Sequence, residues 1–233
     1  MSIFKVQMRA LKLILIFLMA FGAILPAQED KELLPRVAVR AFIGVPKVVG
    51  SQAYRVSFNG LYDGGLKITL RLFNNFCLGV GYQNALFNTT TEFRDVYGRN
   101  INTRQQMHNG VLAFHYDKPA GPKSFWSLSL STGASYNFYT GTVAVKDSMY
   151  KNIPTSFTTA FVRPEASINF LVEDNFAFSI FLAYNMTLQQ FNPELPRLDG
   201  WKNYEKIRNK ANMGYVSFGF GFYYGFKKKK ASA

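Results

Sequence analysis

The sequence predicts an all-β fold, a closed antiparallel up-and-down transmembrane β-barrel of eight strands. Three observations carry this: a long aromatic strand near the end, a secretory leader at the front, and connections that alternate between short and long. From Asn212 to Phe226, Val216, Phe218, Phe220, Phe222, Tyr224 and Phe226 fall on one face of an extended strand. Tyr215, Ser217, Gly219, Gly221, Tyr223 and Gly225, small or polar-tipped, fall on the other. Alternation of this length has the period of a strand and not of a helix.

At the front, Lys5, Arg9 and Lys12 precede the apolar run Leu13 to Leu25 and then Pro26-Ala27-Gln28. A charged start, an apolar middle and a small-residue cleavage site describe a secretory signal peptide over residues 1–27. Thirteen apolar residues fall short of the roughly 20 needed to cross a bilayer as a helix. Residues 28–233 then form one barrel domain with a short basic tail at 227–233, and any membrane residence must come from strands.

The strands follow in order. The first runs from Arg36 to Val45, with Val37, Val39, Ala41 and Ile43 outward. The second carries Leu66, Ile68, Leu70 and Leu72, and Ala53 to Gly60 extends it through a bulge at Gly64-Gly65. After the Asn74-Asn75 turn come Phe76, Leu78, Val80 and Tyr82. A fourth strand, Asn109 to Tyr116, leads into a connection at Asp117 to Lys123. In the fifth, Trp126, Leu128, Leu130, Thr132, Ala134, Tyr136 and Phe138 alternate with Ser127, Ser129, Ser131, Gly133, Ser135 and Asn137. The sixth alternates from Val162 to Phe170, where Pro164 suits a bulge or a strand end. Phe176 to Met186 is the seventh, and the aromatic strand is the eighth. The connections at 73–75, 117–123 and 171–175 are short, whereas 46–64, 87–107, 140–158 and 188–209 are long and polar. Short turns at the periplasmic end and long loops outside are the rhythm of an outer-membrane barrel.

Composition agrees. Aromatic residues make up 16% of the 233, with 23 Phe and 13 Tyr, as aromatic girdles require. The formal net charge is +13, yet no nucleic-acid-binding signature occurs, and the Lys227 to Lys230 run suits anionic headgroups or acidic partners. Cys77 is the single cysteine, so no intramolecular disulfide supports the fold. No metal-ligand or cofactor pattern appears: Gly219-Phe-Gly221 and Gly79-Val-Gly81 precede no helix.

Leader, eight alternating segments and an aromatic last strand resemble the small eight-stranded outer-membrane β-barrels, similar in layout to the OmpA transmembrane domain and OmpX. The resemblance spans the mature chain, and the tail from Lys227 departs from members that end on the aromatic itself. It implies residence in the bacterial outer membrane, contact with lipid and lipopolysaccharide, and handling by the barrel-assembly machinery. The C-terminal strand, with Tyr215, Phe218, Phe220, Phe222, Tyr224 and Phe226, would be the assembly signal. Some members of this group act as accessories in secretion or envelope assembly.

Eight strands leave an interior that side chains fill, which argues against a diffusion pore. The lumen receives Arg36, Arg40, Lys67, Arg71, Arg163 and Glu165, with Ser127, Ser129, Ser131, Asn169 and Asn185. Arg36 and Arg71 are expected to meet. Glu165 reads as the only acid clearly inward, so carboxylates, waters or an anionic ligand must balance the cations. His108 reads as a loop-edge residue, and His115 as hydrogen-bonded within the wall. Neither has the serine spacing of a lipid A deacylase, so the chain reads as a non-enzyme with a structural or partner-binding role. A lipid A-modifying enzyme is the alternative function. An exported soluble β-sandwich or lipocalin-like binder is the alternative fold. Arg197, Trp201 and Tyr204 make the fourth long loop the candidate surface for an unknown protein partner.

Overall fold

The computed structural model describes residues 34–90, 100–145, 148–151, 154–196 and 212–226. The expected leader over 1–27, the tail at 227–233 and the candidate partner residues Arg197, Trp201 and Tyr204 lie outside these. Nine strands occur among the described residues: β1 (Val37–Gly50), β2 (Phe58–Phe73), β3 (Phe76–Thr89), β4 (Asn100–Gly121), β5 (Ser124–Val145), β6 (Ser148–Lys151), β7 (Thr155–Glu173), β8 (Phe176–Gln190) and β9 (Asn212–Phe226). Helix α1 (Gln52–Ser57) joins β1 to β2. Every pairing is antiparallel, and the order β4-β3-β2-β1-β9-β8-β7-β5 closes on itself through β4–β5. Eight strands therefore form the wall, while β6 pairs only with the end of β5 as a short hairpin.

Alternation sorts the side chains as expected. Along β9, Phe218 is 56% exposed and its neighbour Ser217 is fully buried; along β5, Leu130 is 49% exposed and Ser131 fully buried. Closure leaves no free edge among these eight strands, and every wall position offers one side chain to the lumen and the next to the surroundings. The exterior carries Leu66, Ile68, Leu70, Val80, Leu112, Phe114, Leu182, Phe220 and Phe222, all well exposed. An apolar band of this extent far exceeds what a soluble surface tolerates. A sandwich or lipocalin-like binder would hide these faces inside, and the structure turns them outward.

The strands are longer than the sequence suggested. β1 continues five residues past Val45 to Gly50, and β4 and β5 each run for 22 residues. The turns shrink accordingly to Asn74-Asn75, Pro122-Lys123 and Asp174-Asn175. Asn74 takes φ 44, which asparagine tolerates better than most residues. Ala53 lies in α1 and does not extend β2, and the irregularities in β2 against β3 fall between Gly60 and Tyr62 and between Arg71 and Phe73, not at Gly64-Gly65. Pro164 sits mid-strand opposite Leu130 of β5. The β7–β8 register steps from Val162↔Met186 to Glu165↔Ala183 without paired Arg163 and Pro164. A ring nitrogen with no hydrogen is accommodated on that side.

Candidate functional site

The lumen is stacked in three tiers. In the middle, Arg163 of β7 reaches Asp63 of β2 at 2.6 Å, with both side chains fully buried. These strands are four apart in an eight-strand ring, so the ion pair crosses the full lumen. Gln83 Nε2 donates to Asp63 Oδ1 at 2.7 Å and to the Tyr215 hydroxyl at 2.9 Å. Arg163 Nε also donates to Glu165 Oε2 at 3.1 Å, and Lys67 Nζ lies 3.5 Å from the same oxygen. Phe42 underlies both cations, 4.7 Å from the Arg163 guanidinium carbon and 5.3 Å from Lys67 Nζ. Such contacts with a ring face add attraction where water is excluded. Gly65 makes room for Phe42, since a Cβ there would stand 2.8 Å from the ring.

Nearer the two-residue turns, Arg40 Nη2 donates to Asp117 Oδ2 at 2.5 Å and Nη1 to Ser127 Oγ at 3.2 Å. Ser127 donates to Asp117 Oδ1 at 2.5 Å, and Asn169 Nδ2 donates to Ser127 Oγ at 3.1 Å. The Arg40 guanidinium lies 5.0 Å above the Tyr223 ring. A cavity of about 30 Å³ lies between Arg40, Lys67, Glu165, Ser179 and Tyr223, the size for one or two waters.

Towards the long-loop end the lumen becomes apolar. Val48, Ala53, Tyr54, Phe58, Phe87, Met107, Tyr139, Phe191, Met213 and Tyr215 form a continuous buried cluster. The Tyr54 ring, delivered by α1, lies 5.6 Å from Phe58, 6.1 Å from Phe87 and 5.2 Å from Phe191. Its hydroxyl donates to Gln105 Oε1 at 2.9 Å. Burial first, and then the neighbouring tyrosines, push this phenol well above its ordinary range. Thr155 Oγ1 donates to the Leu195 carbonyl at 2.5 Å and Thr103 Oγ1 to the Pro196 carbonyl at 3.4 Å, holding residues 192–196 beside the plug.

Four of the six expected lumen charges, Arg40, Lys67, Arg163 and Glu165, face inward and are paired. Arg36 precedes β1 and is exposed. Its carbonyl accepts the Arg71 N–H at 2.8 Å, so the two meet through main chain. Arg71 is half-buried, and its Nε has no partner among the described residues. Glu165 is not the only inward acid: Asp63 and Asp117 are more deeply buried. Both were hidden because Asp-Gly-Gly and Asp-Lys-Pro read as turns, whereas the strands run on through them. Their parity was the available signal, since Asp63 lies four residues from Lys67 and Asp117 two from His115, on the same faces. His115 also corrects an expectation. It points into the lumen, and its Nε2 has no hydrogen-bond partner among the described residues. His108 lies within β4 and not at a loop edge.

Three acids now face three cations across the two polar tiers: Asp63, Asp117 and Glu165 against Arg40, Lys67 and Arg163. Arg71, on the face of β2 that carries Lys67 and opposite buried Cys77, adds a fourth cation at the turn end, and its buried Nε has no partner among the described residues. Among the described residues no group of His, Cys, Asp and Glu is arranged to hold a metal ion.

A closed wall, an apolar exterior, a polar filled interior, and two-residue turns at one end define an integral β-barrel of the outer-membrane type, with the small eight-stranded layout. No family model matches the chain, and no curated protein is similar to it. Among solved structures, neisserial surface protein A is 13% identical, covering 82% of this chain and 97% of that one with a TM-score of 0.42. Ail, the attachment invasion locus protein of Yersinia pestis, solved with the heparin analogue sucrose octasulfate, is 12% identical, covering 81% and 97% with a TM-score of 0.46. The outer membrane protease OmpT of Escherichia coli is 9% identical, covering 82% and 96% with a TM-score of 0.49. These likenesses are distant, and the class assignment rests on the geometry of this chain alone.

Proposed function

We propose that this protein is exported by a cleaved leader, is inserted into the bacterial outer membrane by the barrel-assembly machinery through its aromatic last strand, and works there as a closed body. Its role is to hold a partner, as an accessory of secretion or envelope assembly, and not to pass solutes. The observation that carries this reading is the filled lumen, tied by ion pairs in two tiers and capped by the aromatic plug. A barrel with no path through it acts by its surfaces, and the loop with Arg197, Trp201 and Tyr204 is the candidate contact.

Planar-bilayer recording of the refolded chain tests the closed lumen: no sustained conductance is expected, and steady channels would overturn it. Crosslinking followed by affinity purification tests the partner, with a stoichiometric companion expected. Terminal sequencing of the mature protein should begin at Gln28. Lipid A from a deletion strain should keep its acylation; altered acyl chains would favour the enzyme reading instead. His108 has tyrosines and an asparagine about it where a deacylase needs a serine and an acid.

A further inference from the structure

The outward wall is mostly aliphatic or aromatic, and across β2 to β5 it carries a cluster of hydrogen-bonded polar groups. The Tyr62 hydroxyl donates to Asn84 Oδ1. Asn84 Nδ2 faces the Met107 carbonyl at 3.0 Å and His108 Nδ1 at 3.2 Å. A carbonyl can only accept, so the group facing it is the amide NH₂, and His108 Nδ1 is an acceptor. The Tyr82 hydroxyl, 2.5 Å from the same nitrogen, is then a second donor to it. The ring's own proton is left on Nε2.

The patch is outward. Asn84, His108 and Tyr136 are cross-strand partners on one rung, and Tyr82 and Tyr136 are 49% and 44% exposed. Their rings flank the imidazole at 6.1 Å and 6.5 Å. On the side of the two-residue turns lies the apolar band, with Val80, Leu112 and Leu130. Two rungs towards the long-loop end stands exposed Arg104, whose Nε donates to Asn88 Oδ1 at 3.2 Å. An ionisable side chain on a lipid-facing wall is costly unless something meets it.

We propose that this patch binds the headgroup of a phosphorylated glycolipid of the outer leaflet, with His108 Nε2–H donating to an acceptor oxygen and Arg104 supplying the cation above it. This rests on the outer-membrane reading and names a lipid for it. The long-loop end faces outward in such barrels, which selects the outer leaflet, and a cation two rungs above a girdle-level donor suits a phosphate above an acyl-ester region. No serine, cysteine or carboxylate stands in the cluster as described, and the site is assigned to holding its lipid.

The chain has only two histidines, and His115 faces the lumen, so it serves as the internal reference. The full mature chain, labelled with ¹⁵N-histidine, is placed in nanodiscs of zwitterionic phospholipid, of the same lipid with phosphatidylglycerol, and with lipopolysaccharide. The expected result is an Nε2–H tautomer for His108 whose signal moves with lipopolysaccharide alone, while His115 stays fixed. H108L should retain about fivefold less lipopolysaccharide through detergent washing, the worth of one net hydrogen bond, with heat-modifiable migration unchanged. An unmoved His108 signal, or full retention by H108L, overturns the proposal. An equal response to phosphatidylglycerol overturns the glycolipid assignment. If the chain fails to insert and to show heat-modifiable migration, the barrel reading itself falls, which keeps the two failures distinct.

Discussion

The middle of the lumen and its long-loop end occupy the same tube, built by the same strands, yet they are filled by opposite chemistry. Around Arg163 the strands meet through charge: a guanidinium on β7 crosses to a carboxylate on β2. Around Tyr54 they meet through rings, with α1 folded in to supply the central one. The difference teaches where each kind of filling works. Within the membrane, the interior can be polar because lipid already satisfies the outside, and ion pairs across the lumen fix which strands stand opposite. Beyond the apolar band the wall has water outside, so an apolar interior there gives the ordinary hydrophobic driving force.

The sharpest way to break this contrast is to remove one charge from the middle tier. Asp63→Ala leaves Arg163 buried with Glu165 as its remaining carboxylate partner, and Gln83 and Tyr215 each lose an acceptor. Breaking a buried pair in this way costs about 3–5 kcal/mol. Urea unfolding in micelles, followed by tryptophan fluorescence, should show a midpoint lowered accordingly. Replacing both partners, as Asp63→Leu with Arg163→Met, should recover most of the loss, because no uncompensated charge remains. If the single and double variants unfold alike, the pair is not what ties β2 to β7.

At the plug the expected penalty comes from a void. Phe87 is fully buried against Tyr54 and Tyr215, and Phe87→Ala removes a ring from a closed aromatic cluster. Large-to-small changes of this kind cost about 3 kcal/mol or more where the site cannot collapse. The contrast with the middle tier is in rescue: Phe87→Leu should restore part of the stability, whereas no neutral residue at position 63 alone should rescue Arg163. The same melts, compared across the four variants, check this.

How much of this was legible in the sequence follows from the same contrast. Which side chains face lipid was readable, because period-two alternation survives in every strand: Leu130 and Ser131 were assigned to opposite faces, and the structure agrees. Spin labels at these two positions should report greater access to lipid-dissolved oxygen at 130. The four central charges Arg40, Lys67, Arg163 and Glu165 were readable by the same parity. Their partners were not, since Asp63 and Asp117 sit in Asp-Gly and Asp-Lys-Pro sequences that carry turn chemistry, and only the ladder beyond them shows that the strand continues. The plug was not readable either. Tyr54 and Phe58 lie in a stretch whose alternation could equally extend a strand, and the six-residue helix there is held by tertiary contact and not by its own propensity.

The mildest test separates hydrogen bonding from packing inside the plug. Tyr54→Phe keeps the ring that touches Phe58, Phe87 and Phe191 and deletes only the hydroxyl that donates to Gln105. Gln105 Nε2 keeps its bond to Asn137 at 3.1 Å, but its buried Oε1 loses the Tyr54 donor, so the loss should be about 1–3 kcal/mol. The sign of its pH dependence follows from burial. A phenol whose folded-state pKa is raised holds its stability below its unfolded pKa of about 10 and loses it as pH rises above that. Wild-type protein should therefore weaken relative to Tyr54→Phe in strongly alkaline buffer, and the gap between their unfolding midpoints should narrow. A gap that widens with alkali would mean that Tyr54 ionises more readily in the folded plug than in the unfolded chain, and the apolar character assigned to this end of the lumen would fail with it.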